Sequence, residues 1–206
     1  MKGRRLQPQA HPRLAAERSL SEGRGFDVVF VCTGNRFRSP LAAAALAAAC
    51  DQPGIRASSV GILDLGPMPA LQEALELARS FELDLSSHRA RTISQLDLAP
   101  FDLVLGFERA HVHAAVVDAS AAVQRSFTLP ELVLLLEGLP EPAAASTPAE
   151  SARARVNQAH EARPPNFRTA TLPEIVDPLG RSPREQRAVA EEVRNLVERL
   201  VHLLFD

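Results

Sequence analysis

The stretch from residue 26 to 41, FDVVFVCTGNRFRSPL, decides how the chain is read. Its first half is a continuous apolar, β-branched run, the pattern of a central parallel strand buried on both faces. The run ends in Cys32, bends through Gly34 and Asn35, and sets Arg36 and Arg38 on a short loop before Ser39-Pro40. Two guanidiniums that close repel each other unless an anion lies between them, and a thiol is a poor packing choice at a strand end. The five residues between Cys32 and Arg38 let the backbone curl around one tetrahedral anion. Successive N–H groups then point inward, and the following helix adds the positive end of its dipole. Arg38 closes the ring with a planar fork matched to two phosphate oxygens. The same donors favour thiolate over thiol at Cys32. Gly34 and Asn35 both tolerate left-handed backbone and suit the bend. Ser39 is placed to cap the next helix and Pro40 to occupy its first turn. A thiolate facing a cradled phosphoryl group means in-line attack on phosphorus. No Gly-Lys-[Ser/Thr] follows the glycine, so this is not a nucleotide-binding Walker loop.

Beyond this stretch, strands and helices alternate. Residues 55–60, 102–107 and 125–129 read as further strands. Residues 41–50, 69–83, 108–119, 130–139 and 183–205 carry helical apolar spacing. Such alternation predicts an α/β fold, a parallel sheet covered by helices on both faces with right-handed crossovers. Residues 1–25 read as a flexible basic arm and 26–206 as a single domain. Between about 138 and 170 the composition shifts to Pro, Ala, Ser, Glu and Arg. That reads as an inserted surface loop with a short helix near 149–159, longer than a compact domain ordinarily needs.

The 206 residues suffice for one domain with a real core. A net charge of -2 offers nothing to attract nucleic acid or a membrane surface. Trp and Tyr are absent, which removes the usual stacking platforms for single-stranded nucleic acid. Cys32 and Cys50, the two cysteines, form neither a disulfide framework nor a zinc spacing. A reduced thiol in the cytoplasm is the expectation, since the first 25 residues lack a signal-peptide apolar core and no run approaches a membrane span. His111 and His113 are two apart on a predicted helix and cannot share a face, so they read as solvated surface histidines. No metal and no cofactor are expected.

Cys-x5-Arg-[Ser/Thr] alone arises by chance in roughly 2% of chains this long. The preceding strand, the Gly-Asn bend and the following Ser-Pro make VCTGNRFRSP far more specific. It resembles V-C-x-G-N-x-C-R-S-P, the signature of the low-molecular-weight protein tyrosine phosphatases. SSVGI, DLSSHRAR, FDLVLGFERAH and IVDP support the likeness, which runs from about residue 26 to the C-terminus outside the insertion. The resemblance implies a phosphatase-I-like four-stranded parallel sheet of order 2-1-3-4. The loop then lies at the carboxyl end of the first strand, the switch point where open α/β sheets bind ligands. It also implies that Cys32 is the nucleophile and forms a phosphocysteine, that Arg38 binds phosphate, and that Ser39 donates a hydrogen bond to the thiolate. Thr33, Gly34, Asn35, Arg36 and Phe37 would line the substrate, with Ser59 and His88 supporting Asn35. Asp177, fixed by Pro178, resembles the family's acid: it protonates the leaving oxygen and then activates water. Asp27, Asp64, Asp102 and Asp118 are weaker candidates. The implied partner is a phosphorylated protein or small aryl phosphate, taken by a monomer or weak dimer.

Three departures stand out. Phe37 replaces the second loop cysteine usual in the family, and Cys50 lies too far along the helix for a disulfide to Cys32. Oxidation is therefore expected to be harder to reverse. Arg36 stands where Ile accompanies phosphotyrosine selectivity and Thr accompanies phosphoarginine selectivity. It either points to solvent or favours substrates with extra negative charge. Leu179-Gly180 follows Asp-Pro where many members carry aromatics, so a ring-binding wall must come from Phe, Leu or the insertion. Two alternatives remain. An arsenate reductase of the thioredoxin-coupled type needs two further cysteines, and only Cys50 is available. A non-catalytic phosphate-binding module is disfavoured by the joint presence of Cys32, Arg38 and Asp177.

Overall fold

In the computed structural model, which describes residues 25–140, 147–166 and 173–206, the apolar run becomes the central strand β1, Phe26–Cys32. Its alternate residues serve opposite faces. Phe26, Val28, Phe30 and Cys32 join one core cluster, while Val29 and Val31 join Val60, Val104 and Ala115 in the other. The remaining strands are β2 (Ile55–Gly61), β3 (Leu103–Gly106) and β4 (Ser126–Thr128). All pair in parallel, in the order β2-β1-β3-β4, with Cys32 opposite Gly61 and Val31 opposite Gly106. The α/β class is the one the alternating pattern predicts, and the strand order is the one the family resemblance implies. All but one residue of the predicted arm, 1–25, lies outside the described residues.

The helices are α1 (Arg38–Ala49), α2 (Gln72–Ser80), α3 (Arg109–Asp118), α4 (Leu129–Glu137), α5 (Pro148–Glu161) and α6 (Pro183–Phe205). In α6, Val189, Val193, Leu196, Leu200 and Leu204 recur at three and four and bury one face. Its start is fixed by a reciprocal Ser182–Glu185 capping box with Pro183 in the first turn. Among the described residues no helix is long and apolar enough to cross a membrane.

Two expectations need correction. Ser39 does not cap α1: the helix begins at Arg38, two residues earlier than a Ser39 cap would set it, with Phe37 in the cap position and no side-chain cap. The Ser39 hydroxyl is turned to Cys32 instead. The insertion is also more than a surface loop. Residues 148–161 form a helix whose Ala152, Val156 and Ala159 are buried in the main core. Arg155 donates to the carbonyls of Leu136 and Pro140 at 3.2 and 2.6 Å, closing the end of α4. Arg163 donates to Glu131 Oε1 at 2.8 Å and lies 3.8 Å over the Phe127 ring, fastening the segment to β4.

Candidate active site

The loop from Cys32 to Arg38 is shaped around Asn35. Its φ of 53° places it in the left-handed region, which asparagine tolerates better than most residues; Gly34 has no positive φ. Asn35 is fully buried and its polar groups are used. Its N–H donates to Cys32 Sγ at 3.2 Å, and Nδ2 donates to both Ser39 Oγ and Ser59 Oγ at 2.9 Å. Oδ1 accepts from the Arg91 N–H at 2.9 Å, and the carbonyl accepts from His88 Nε2 at 2.7 Å. That last bond requires the proton of His88 on Nε2. Burial, chiefly, and the charges of Arg91 and Arg89 lower the His88 pKa, which keeps the ring neutral. Gly61 is required beside the loop, since a Cβ there would fall 2.9 Å from the Asn35 nitrogen and 3.0 Å from the Thr33 oxygen.

Cys32 is 3% exposed, with its sulfur 3.0 Å from Ser39 Oγ. Ser39 has one hydroxyl proton and two candidate acceptors, the sulfur and the Val60 carbonyl at 3.3 Å. With a thiolate the proton goes to sulfur. With a thiol, Cys32 can donate and Ser39 turns to Val60.

Arg38 is the largest fully buried side chain and joins all parts of the site. Nη1 donates to a Glu108 carboxylate oxygen and to the Ile175 carbonyl, the latter at 2.9 Å. Nη2 donates to Thr33 Oγ1 at 3.0 Å and to Asp177 Oδ2 at 2.6 Å. A guanidinium this buried needs such partners, because an unpaired buried charge is strongly destabilising. Asp177 arrives because the segment before it is tied to the turn between β3 and α3: the Ile175 N–H donates to Phe107 O at 2.8 Å, and Glu174 Oε1 accepts from the Arg109 N–H at 2.7 Å. The other Asp177 oxygen accepts from the Leu179 N–H at 3.0 Å. Cys32, Ser39, Arg38 and Asp177, separated by 145 positions at the extremes, thus converge at the carboxyl end of β1.

Glu108 and His111 were not identified from the sequence, and His111 corrects the reading of it as a surface histidine. It is 1% exposed, whereas His113 is exposed as expected. His111 Nδ1 accepts from the N–H groups of Phe107 and Glu108 at 3.3 and 3.1 Å. Its proton is therefore on Nε2, which donates to Thr33 Oγ1 at 3.1 Å. Burial, then the charge of Arg38, lowers its pKa to about 4. Thr33 Oγ1 accepts from both His111 and Arg38, so its own hydroxyl hydrogen stays available to a third group. Gly106 lets α3 approach this closely, since a Cβ there would lie 2.9 Å from Val112 and 3.0 Å from the His111 side chain. Glu108 and His111 are three apart at a helix start, in a capping-box arrangement that serves as the signal in the sequence.

Phe37, expected against substrate, buries its side chain in the core, so only its backbone faces the loop. Arg36 is not a plain solvated charge: half-buried, it donates from Nε to the Pro69 carbonyl at 2.8 Å. Both cysteines are free. The 12 residues of α1 separate Cys50 from the loop, about 18 Å at 1.5 Å per residue. Exposed aliphatic side chains border the site on two sides. Leu63, Leu65 and Met68 follow β2, with Leu65 against Gly34, and Val176 and Leu179 flank Asp177. Among the described residues no three His, Cys, Asp or Glu side chains are grouped to hold a metal.

Residues 27–149 match the model of the low molecular weight phosphotyrosine protein phosphatase family, a region that holds the anion loop, Glu108 and His111 but ends before Asp177. The chain is 33% identical over 101 residues to "Probable low molecular weight protein-tyrosine-phosphatase EpsP" of Ralstonia solanacearum, covering 48% of this chain and 68% of that protein. It is 31% identical over 102 residues to the low molecular weight protein-tyrosine-phosphatase Etp of Escherichia coli K12, covering 50% and 66%. The crystal structure of a low molecular weight protein tyrosine phosphatase from T. tengcongensis superposes with a TM-score of 0.61 at 26% identity, over 86% of this chain and 99% of that one. With the matched region spanning the sheet and the loop, the chain belongs to the low molecular weight phosphotyrosine protein phosphatase family.

Proposed function

We propose that the protein is a phosphomonoester hydrolase for phosphotyrosine in proteins, working through a phosphocysteine on Cys32. The observation that carries this reading is the buried Arg38 fork. It is linked through Thr33 to the anion loop and directly to Asp177, while Cys32 lies in the same loop within hydrogen-bond reach of Ser39. The phosphoryl group enters the loop and takes the Arg38 Nη2 donor that Asp177 holds in the free protein. Two carboxylates, Glu108 and Asp177, already face the single charge of Arg38. A further unit anion about 4 Å from either would cost roughly 4 kcal/mol at an effective dielectric of 20. Asp177 in its acid form is the proton donor the reaction needs.

Cys32 Sγ then attacks phosphorus. The S–P bond forms, the P–O bond to the phenol breaks, and the leaving oxygen takes the proton of Asp177. In the second step the Asp177 carboxylate takes a proton from water and the oxygen attacks phosphorus. The S–P bond breaks, inorganic phosphate leaves, and Ser39 donates to the departing thiolate. Glu108 and His111 hold Arg38 and Thr33 in place throughout. Leu63, Leu65, Met68, Val176 and Leu179 receive the ring by apolar contact, at about 25 cal/mol per Å² buried, where an aromatic wall is absent. Such a rim favours an aryl phosphate over phosphoserine. Two free cysteines fit a reducing, cytoplasmic setting, and a monomer or weak dimer suffices for a site whose parts all come from one chain.

Arsenate reduction is disfavoured because Cys50 is about 18 Å along α1 from the loop, too far to relay a disulfide. Hydrolysis of p-nitrophenyl phosphate, followed by phosphotyrosine, phosphoarginine and phosphoserine peptides, tests the proposal. Hydrolysis led by the phosphotyrosine peptide is expected, with none in Cys32→Ser. Turnover retained in that variant would contradict the covalent route.

A further inference from the structure

Arg36 lies in the anion loop, yet the phosphate chemistry above does not use its side chain. Its placement is fixed at three points. Its Nε donates to the Pro69 carbonyl at 2.8 Å, its own carbonyl accepts from the Leu71 N–H at 2.9 Å, and the adjoining Phe37 is buried in the core. With Nε engaged, the edge bearing Nη1 and Nη2 is the part left to bind something else. Arg38, Arg56 and Arg163 are all paired with carboxylates, but Arg36 has no such partner among the described residues.

Further positive charge lies on the neighbouring segment. The Ala90 N–H donates to Met68 O at 2.8 Å, laying residues 88–91 beside the stretch that holds Arg36. Arg89 and Arg91 on that segment are exposed and bond only to carbonyls, with Nη1 of Arg89 2.7 Å from His88 O and Nη2 of Arg91 3.2 Å from Ser59 O. Asp64 and Asp84, in the segments before Met68 and before His88, accept from the N–H groups of their own turns, those of Gly66 and Ser86. Pro69 is exposed, so Arg36 is held at the rim of the site rather than at its floor.

We infer that Arg36, supported by Arg89 and Arg91, forms a second anion subsite that binds the carboxylate of a Glu or Asp next to the phosphotyrosine. This rests on the phosphatase reading and assigns its substrate class, acidic phosphotyrosine segments. The two free Nη groups match the two oxygens of a carboxylate. Arg36 and Arg38 are two residues apart, so their Cα atoms are separated by at most about 7 Å. The rim position lies beside the entering peptide, within reach of a side chain flanking the phosphotyrosine.

The test compares two phosphotyrosine peptides that differ only in Glu or Gln at the flanking positions, with p-nitrophenyl phosphate as a third substrate. The wild type is expected to favour the Glu peptide about fivefold in kcat/KM at low salt, a range typical of a partly exposed ion pair, with the preference shrinking as salt rises. In Arg36→Ala the ratio falls to near one, and in Arg36→Glu it drops below one. The ratio is read within each variant, so a general loosening of the loop cancels. Equal rates on both peptides in the wild type, or an unchanged ratio in Arg36→Ala, overturns the subsite while leaving the phosphatase reading intact. Absence of turnover on all three substrates overturns the phosphatase reading itself.

Discussion

Asp177 Oδ2 lies 2.6 Å from Nη2 of Arg38, so in the free protein the proposed acid occupies a donor that the phosphoryl group needs. Substrate and Asp177 therefore compete for one edge of the guanidinium. Asp177→Asn removes both the acid and the competing charge. Turnover should fall about 100- to 10,000-fold, the usual worth of a positioned general acid. Inorganic phosphate should at the same time inhibit more tightly. Steady-state kinetics with phosphate as competitor check both effects, and a fall in rate without tighter phosphate binding would count against the competition.

Glu108 neutralises the other edge of Arg38. In Glu108→Ala a nearly inaccessible guanidinium loses one of its two carboxylates. Breaking a buried pair costs about 3–5 kcal/mol when nothing replaces the lost charge, and the remaining Asp177 keeps the expected loss at or below about 3 kcal/mol. Denaturant unfolding measures it. Glu108→Gln keeps a hydrogen-bond acceptor and should recover part of both stability and kcat/KM.

His111 makes stability depend on pH. Burial and the neighbouring Arg38 depress its pKa to about 4, so the unfolded chain takes up a proton that the folded chain refuses. Its contribution is fully present above the unfolded value of about 6.5 and is lost as pH falls from there toward 4. The shift corresponds to about 3 kcal/mol at most. Unfolding free energies measured across that window should fall in the wild type and fall less steeply in His111→Gln.

Oxidation should be difficult to reverse. Phe37 stands next to Arg38 and Cys50 is beyond the far end of α1, so no thiol is placed to trap an oxidised Cys32. After mild peroxide, mass spectrometry should find oxygen added at Cys32 and no intramolecular Cys32–Cys50 bond. Recovery with dithiothreitol should become incomplete as exposure lengthens.

The strand and the loop were legible in the sequence because each rests on a local pattern, an apolar run and a Gly-Asn bend. Ser59 and His88 as partners of Asn35 were legible only through the family resemblance, since they lie 24 and 53 positions away. The course of Asp177 was legible only through the likeness of its Asp-Pro dipeptide, since the contacts with Phe107 and Arg109 that deliver it join residues far apart. His111 was misread for a physical reason. At the start of α3 its side chain turns back to the strand end, and the rule for side chains along a helix face does not apply there. Ser39 was misread as the cap because α1 starts two residues earlier, with Phe37 in the cap position, which leaves the Ser39 hydroxyl to the sulfur. The short helix near 149–159 was legible in the insertion, but its burial was not, because a buried face of Ala152, Val156 and Ala159 carries too weak an apolar signal to separate from a surface helix.

The most direct test of the account is to trap the intermediate. Asp177→Ala should slow hydrolysis of the S–P bond, so rapid quenching after p-nitrophenyl phosphate, followed by peptide mass spectrometry, should find one phosphoryl group on Cys32. A phosphoryl group on another residue, or steady turnover by Cys32→Ser, would contradict it.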